Sequence, residues 1–135
     1  MLHTHEESPS VMGRVLHDVF NRQHLLLDEI ADRYFAPDYR QRTNGSWSRR
    51  AEVVDHLARV REVAERADIV VEEELSQGRV YADRHVVRVH KRGGGLTVQE
   101  VYVFAHRAAD GRLRELHETT MMLEGSETDR SLGQA

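Results

Sequence analysis

Between Val98 and Met122 the chain reads VQEVYVFAHRAADGRLRELHETTMM, and Glu100, Glu115, His117 and Glu118 stand there among apolar residues. On a solvated face such residues are ordinary. Turned inward they are costly unless paired, and a carboxylate in a partly desolvated site has a raised pKa and can shuttle a proton near neutral pH. Tyr102 could donate a hydrogen bond to the oxygen where charge develops. His56, on a helical stretch upstream, is a second candidate for acid–base work or ligand contact. The competing reading makes Glu100 and Glu118 structural ion pairs with Arg84, Arg107 or Arg114. An open cavity of several hundred Å³ lined by these carboxylates would favour an enzyme, in the ~300–1,000 Å³ range of ligand pockets. Both glutamates meeting arginines around no cavity would favour a non-catalytic module.

Which side chains share the site depends on register. Residues two apart lie on one strand face, so Glu100, Tyr102, Phe104 and His106 go together. A two-residue Asp110-Gly111 loop sets Phe104 beside His117 and His106 beside Glu115. A three-residue loop sets Tyr102 beside Glu118 and Phe104 beside Leu116, and a one-residue slip flips the whole set. Asp-Gly turn chemistry favours the first, and a β-bulge would reconcile the two. On the preceding strand Tyr81, His85, Val87 and Val89 form the more apolar face, which places His85 inward, with Arg84 as the alternative.

The elements that carry these residues follow from hydrophobic period. Apolar residues at Met12, Leu16, Val19, Phe20, Leu27, Ile30, Ala31 and Tyr34, behind Ser10 as N-cap, predict one amphipathic helix ended by Pro37. An irregular piece with an Asn44-Gly45 turn follows. Val53, Leu57, Val60, Ala64 and Ala67 predict a second helix over 49–67, with His56 at the edge of its core stripe. Strands are expected at 69–75, 79–90, 96–107 and 112–123, joined by short Gly-containing connections as an antiparallel meander. Helices first and strands after them is the α+β pattern. The expected layout is a flexible tail over 1–9, one domain over 10–123 and a second flexible tail over 124–135.

Composition narrows the classes. A chain of 135 residues fits one domain. It has no cysteine, which excludes thiolate metal sites and cysteine nucleophiles. The net charge of -4 argues against a nucleic-acid partner. No apolar run reaches the ~18 residues of a membrane span, and the first residues lack a signal-peptide core, so a cytoplasmic protein without a membrane partner is expected. The nine histidines show no metal-ligand spacing, and neither a phosphate loop nor a nucleophile elbow is present, so no metal and no cofactor are expected.

Four phrases carry a family resemblance: YFAPDYRQRTNG (34–45), VVDHLARVRE (53–62), GRVYADRHVV (78–87) and VYVFAHRAADGRLRELHET (101–119). In order and spacing, over residues 11 to 124, they resemble the nuclear transport factor 2-like superfamily, closest to SnoaL-like and ketosteroid-isomerase-like proteins. The resemblance implies a cone-shaped curved antiparallel sheet wrapped around N-terminal helices, with a deep pocket. It also implies a homodimer through the outer face, and either a non-catalytic binding or dimerisation module or a cofactor-independent isomerase, cyclase or dehydratase. The implied ligand is a small apolar molecule of polyketide or steroid type. A Glu two before a Thr points inward in relatives, which favours Glu118 over Glu115 and His117. Ketosteroid isomerases place an Asp base and a protonated carboxylic acid around one pocket, and Glu100, Glu118 and Tyr102 are the analogous parts here. Tyr39 and Gln41 then sit at the mouth, and Phe35, Trp47 and Phe104 form walls. Two departures stand out. Arg42 replaces a common His, and Met121 stands where SnoaL-type cyclases carry an Asp, which counts against cyclase chemistry.

Overall fold

The computed structural model describes residues 10–134, with the side chains of 131, 133 and 134 excepted; the expected N-terminal tail lies outside these residues. Three helices, α1 (Val11–Asn21), α2 (Leu27–Tyr34) and α3 (Arg50–Val63), pack on six strands. These are β1 (Phe35–Thr43), β2 (Ser46–Arg49), β3 (Ala64–Gln77), β4 (Val80–Lys91), β5 (Leu96–Arg107) and β6 (Leu113–Glu124), and a 3₁₀ segment, η1 (Glu127–Gln134), closes the chain. The strand order is β2-β1-β6-β5-β4-β3, so the first and last long strands meet in the middle of one curved α+β sheet. Bulges in β3 and in the β5–β6 ladder bend that sheet around the helices.

The single long helix expected over 10–36 is two. Arg61, on α3, donates to the carbonyls of Val19 (2.8 Å), Asp18 (3.1 Å) and Leu25 (2.7 Å), which satisfies the end of α1 and the loop after it. Asn21 exchanges two 2.8 Å hydrogen bonds with the Ala67 backbone and so ties the break to β3. Apolar period runs through the break because α1 and α2 both face the sheet, which hides the interruption. Pro37 does not end a helix. It sits exposed within β1, where the register against β6 shifts and the missing N–H costs little.

The piece expected to be irregular forms the hairpin β1–β2, turned by Asn44 (φ 49°) and Gly45 (φ 91°), the paired positive φ of a primed turn. β1 runs parallel to β6, so the expected fully antiparallel meander is antiparallel in every strand pair but this one. α3 stops at Val63, and Ala64 and Ala67 of the expected helical stripe are buried on β3 instead. The stretch expected as a second tail contains η1, and Leu132 of η1 is buried in the core cluster.

Candidate functional site

One row of the sheet collects the chemistry. Across five strands Glu74, Asp83, Val103, Glu118 and Thr43 are successive pairing partners, all on the face toward the helices. Asp83 and Glu118 are buried, on a face that is otherwise mainly apolar. The row comes from strand alternation: Val101, Val103 and Ala105 of β5 point inward, as do Leu116 and Glu118 of β6.

On β1, Tyr39, Gln41 and Thr43 share the inner face and point a run of donors at Glu118. The Tyr39 hydroxyl donates to Gln41 Oε1 (2.7 Å), and the Gln41 amide donates to Thr43 Oγ1 (3.0 Å) and Glu118 Oε2 (3.2 Å). Thr43 Oγ1 donates to the same Oε2 at 2.8 Å. With both donors on Oε2, a carboxyl proton is left to Oε1. Burial pushes the Glu118 carboxyl up to about 8, against a downward pull from Thr43 and an added upward push from the Asp83 charge. At neutral pH Glu118 is therefore mainly the protonated acid. Burial, aided by the Glu118 charge, also holds the Tyr39 phenol well above its ordinary value, so Tyr39 stays a neutral phenol.

On β4, Asp83 Oδ1 lies 2.8 Å from His85 Nδ1, with the aspartate side chain fully buried and the imidazole 2% exposed. An anionic Asp83 orients the ring with its proton on Nδ1, which leaves Nε2 as the basic nitrogen available to the cavity. Behind this pair, the Tyr81 hydroxyl oxygen is 2.7 Å from Asp83 Oδ2 and 2.8 Å from Glu74 Oε2.

Glu118, His85, Gln41 and Tyr39 form the polar side of a cavity whose remaining walls are mainly apolar, among them Phe20, Phe35, Leu57 and Leu132. Its volume is about 50 Å³, well short of the several hundred Å³ expected of an enzyme pocket. That is room for a few water molecules, each needing ~10–15 Å³ on the same measure. No arginine or lysine among the described residues lines it. Among the described residues no group of three or more His, Asp or Glu side chains is placed to hold a metal ion, and no helix is long and apolar enough to cross a membrane.

The register of the β5–β6 hairpin combines the two alternatives. Arg107 pairs with Leu113 as a three-residue loop would have it, then a bulge resets the ladder so that Phe104 pairs with His117 and His106 with Glu115. Glu118 thus faces inward opposite Val103. The expected partners of Glu118 do not join it. Glu100, Tyr102 and Phe104 lie on the outer face, because β5 presents its valines and alanine to the core instead. Tyr102 is 50% and Phe104 51% exposed, and Glu100 meets Arg84 at 3.5 Å. Trp47 is also on the outer side, under the Arg40 guanidinium and edge-on to His117. Glu115 is held by Arg40 (2.9 Å) and His117 (2.9 Å). His56 is half-buried on α3 and does not line the cavity. His85 faces inward and Arg84 outward; Phe35 stacks on Tyr39 with ring centroids 4.2 Å apart. Asp83, Thr43 and Tyr81 were not singled out from sequence as site residues. The same alternation that places His85 inward carries Asp83 and Tyr81 with it, and extending Tyr39, Gln41 by one step reaches Thr43.

No family model matches the chain. An uncharacterized protein of Schizosaccharomyces pombe is 31% identical over 100 residues, which cover 74% of this chain and 76% of that protein. Among solved structures, a SnoaL-like candidate polyketide cyclase from Jannaschia sp. CCS1 superposes with a TM-score of 0.65 at 16% identity over 82% of each chain. AclR, a candidate hydroxylase from Streptomyces galilaeus, gives 0.70 at 15% identity over 98% of this chain and 88% of its own. A Catenulispora acidiphila protein with a ketosteroid isomerase-like fold, crystallised with trimethylamine, gives 0.63 at 11% identity over 82% and 84%.

Proposed function

From the nuclear transport factor 2-like fold that the chain shares with SnoaL-like and ketosteroid isomerase-like structures, we propose that it binds a small, neutral, mainly apolar molecule and moves a proton on it without a cofactor. The observation that carries the reading is Glu118: a buried carboxyl, protonated near neutral pH, that shares a cavity with an aspartate-oriented imidazole and meets no cation. An ion-pair role needs an arginine beside Glu118, and its polar contacts are Thr43 and Gln41. In a carbonyl substrate, His85 Nε2 takes a proton from the carbon next to the carbonyl. Glu118 gives its proton to the carbonyl oxygen, and the enol so formed is reprotonated elsewhere or loses a leaving group. Tyr102 and His56 have no part in this scheme, since neither reaches the cavity.

A cation-free cavity disfavours carboxylate and phosphate ligands, which would be buried without a counter-charge. Its small volume means that a ligand displaces the Leu132 side chain of η1 as it enters. The test is a thermal-shift screen of neutral ketones and phenols against matched carboxylates. Neutral compounds are expected to raise the melting temperature by mass action. On a compound turned over, Glu118→Gln and His85→Ala are each expected to lower kcat by ~10²–10⁴-fold. Full activity in both variants, or stabilisation by carboxylates alone, overturns the reading.

A second role has its own support. The outer sheet face carries Trp47, Tyr102, Phe104 and Met121, each about half exposed, and Leu75 at 69%. Such a stripe fits the homodimer contact implied by the resemblance and is costly to leave in water. Pairing with a second copy is compatible with the cavity chemistry on the opposite face. A module that only dimerises would need neither Asp83 nor Glu118.

A further inference from the structure

Tyr81 has one phenolic proton and two carboxyl oxygens within hydrogen-bond distance, Glu74 Oε2 at 2.8 Å and Asp83 Oδ2 at 2.7 Å. The phenolic proton can serve either oxygen, so the hydroxyl can turn between Asp83 and Glu74 as acceptors. A proton arriving at Asp83 can pass to the Tyr81 oxygen while the phenolic proton passes to Glu74, with no group left charged at Tyr81. Asp83 continues the line to His85 Nδ1 at 2.8 Å.

We propose that Glu74, Tyr81, Asp83 and His85 form a proton relay between the closed cavity and solvent. The proposal rests on the acid–base reading of the cavity. The relay answers a problem that burial creates: His85 and Glu118 are buried, and a proton taken at His85 Nε2 has to leave without bulk water. It departs from Nδ1 to Asp83, from Asp83 to the Tyr81 oxygen as the phenolic proton passes to Glu74, and from Glu74 to solvent. Asp83, Tyr81 and His85 are buried, whereas Glu74 is half-exposed and so is the end where exchange with water takes place. Backbone amides at the start of α1 hold that end, Val11 N donating to Glu74 Oε2 (3.1 Å) and Met12 N to Tyr81 Oη (3.4 Å). Among the described residues, the titratable and charged groups also facing the line include Glu118 in the same sheet row and Arg107, whose guanidinium lies 5.5 Å from the Tyr81 ring. Tyr81 and Glu74 are positioning residues in this scheme, acting through Asp83 and His85.

Ring-proton exchange of ¹⁵N-labelled His85 with solvent, read by NMR without any ligand, tests the relay. Tyr81→Phe and Glu74→Gln are each expected to slow that exchange by roughly tenfold or more, and Glu74→Asp to restore most of it. A purely structural role predicts the opposite sign, because loss of a buried hydrogen bond loosens the site and speeds exchange by local opening. Unchanged or faster exchange in Glu74→Gln overturns the relay, and that variant alone decides if Tyr81→Phe does not fold. Neither measurement involves Glu118 or a ligand, so failure here leaves the acid–base reading to its own screen.

Discussion

Asp83 and Glu118 are separated by one residue, Val103, along a single row of the sheet. Two strand spacings put their backbones roughly 10 Å apart. The intervening medium is apolar, so the Asp83 charge reaches Glu118 little screened and helps keep it protonated. Asp83→Asn is therefore expected to lower the Glu118 pKa, while Thr43→Val, which deletes a donor to the carboxylate, should raise it. Carbon-13 titration of the Glu118 side chain reads both, and shifts of the same sign would refute the charge and hydrogen-bond assignment.

The raised Glu118 pKa also fixes a pH dependence of stability. Below its unfolded value near 4.5 both states are protonated, and the contribution is fully present. Between there and about 8 the unfolded chain ionises while the folded protein keeps its proton, so stability falls as pH rises. The slope from this one group is roughly 1.4 kcal/mol per pH unit. Urea melts of Glu118→Gln set against the unsubstituted protein at pH 5 and pH 8 should show the variant gaining in relative stability at the higher pH. An equal difference at both values would mean that Glu118 ionises normally.

Arg61 supplies donors to carbonyls at the end of α1 and in the loop that follows. Arg61→Met keeps the apolar stem and leaves those carbonyls without their partner. A loss of about 1–3 kcal/mol is expected in chemical unfolding, the usual cost of unsatisfied buried polar groups. A loss no larger than that of an exposed arginine such as Arg59 would remove Arg61 from the account of the helix break.

Gly125 joins β6 to η1 with φ 141°, and a Cβ there would lie 2.6 Å from Thr97 Oγ1 and 3.1 Å from Asp129 Oδ2. Gly125→Ala is expected to unseat η1 and lift Leu132 from the cavity. Binding of an apolar dye such as anilinonaphthalene sulfonate should rise, at a cost on the order of 1–3 kcal/mol in stability. A variant with unchanged dye binding would show that η1 holds its place without this hinge.

On the outer face, Phe104→Glu or Met121→Glu should convert a dimer to a monomer in light scattering, with the fold retained in circular dichroism. A monomer before any substitution would remove the dimer proposal.

The fold class and most element positions were legible because two periods, 3.6 and 2, change over within a few residues of Ala64, where α3 gives way to β3. What escaped was set by partners distant in sequence. The break in the first helix depends on Arg61, some forty residues on, and the parallel placement of β1 depends on β6. Alternation told which residues of β5 travel together but not which set faces inward: Val101, Val103 and Ala105 win because the helices need an apolar floor, and Tyr102 and Phe104 go out with them excluded. Asp83 was not named on the inner face of β4, although alternation puts it there between Tyr81 and His85. Its value becomes visible only when Tyr81 and His85 are read as its two partners.

The parallel pairing of β1 with β6 also dictates when the acid can exist. Thr43 and Glu118 are 75 positions apart, and the strands that frame their contact are the first and the last of the sheet in chain order. Closing that loop has an entropic cost before any contact rewards it, so this part of the sheet is expected to form late and to slow folding of the whole chain. A nascent chain that stops before β6 has Gln41 and Thr43 displayed with nothing to bind, and two long strands, β1 and β5, with bare edges open to other chains. Chemistry and protection from aggregation thus arrive together, when β6 takes its place between β1 and β5.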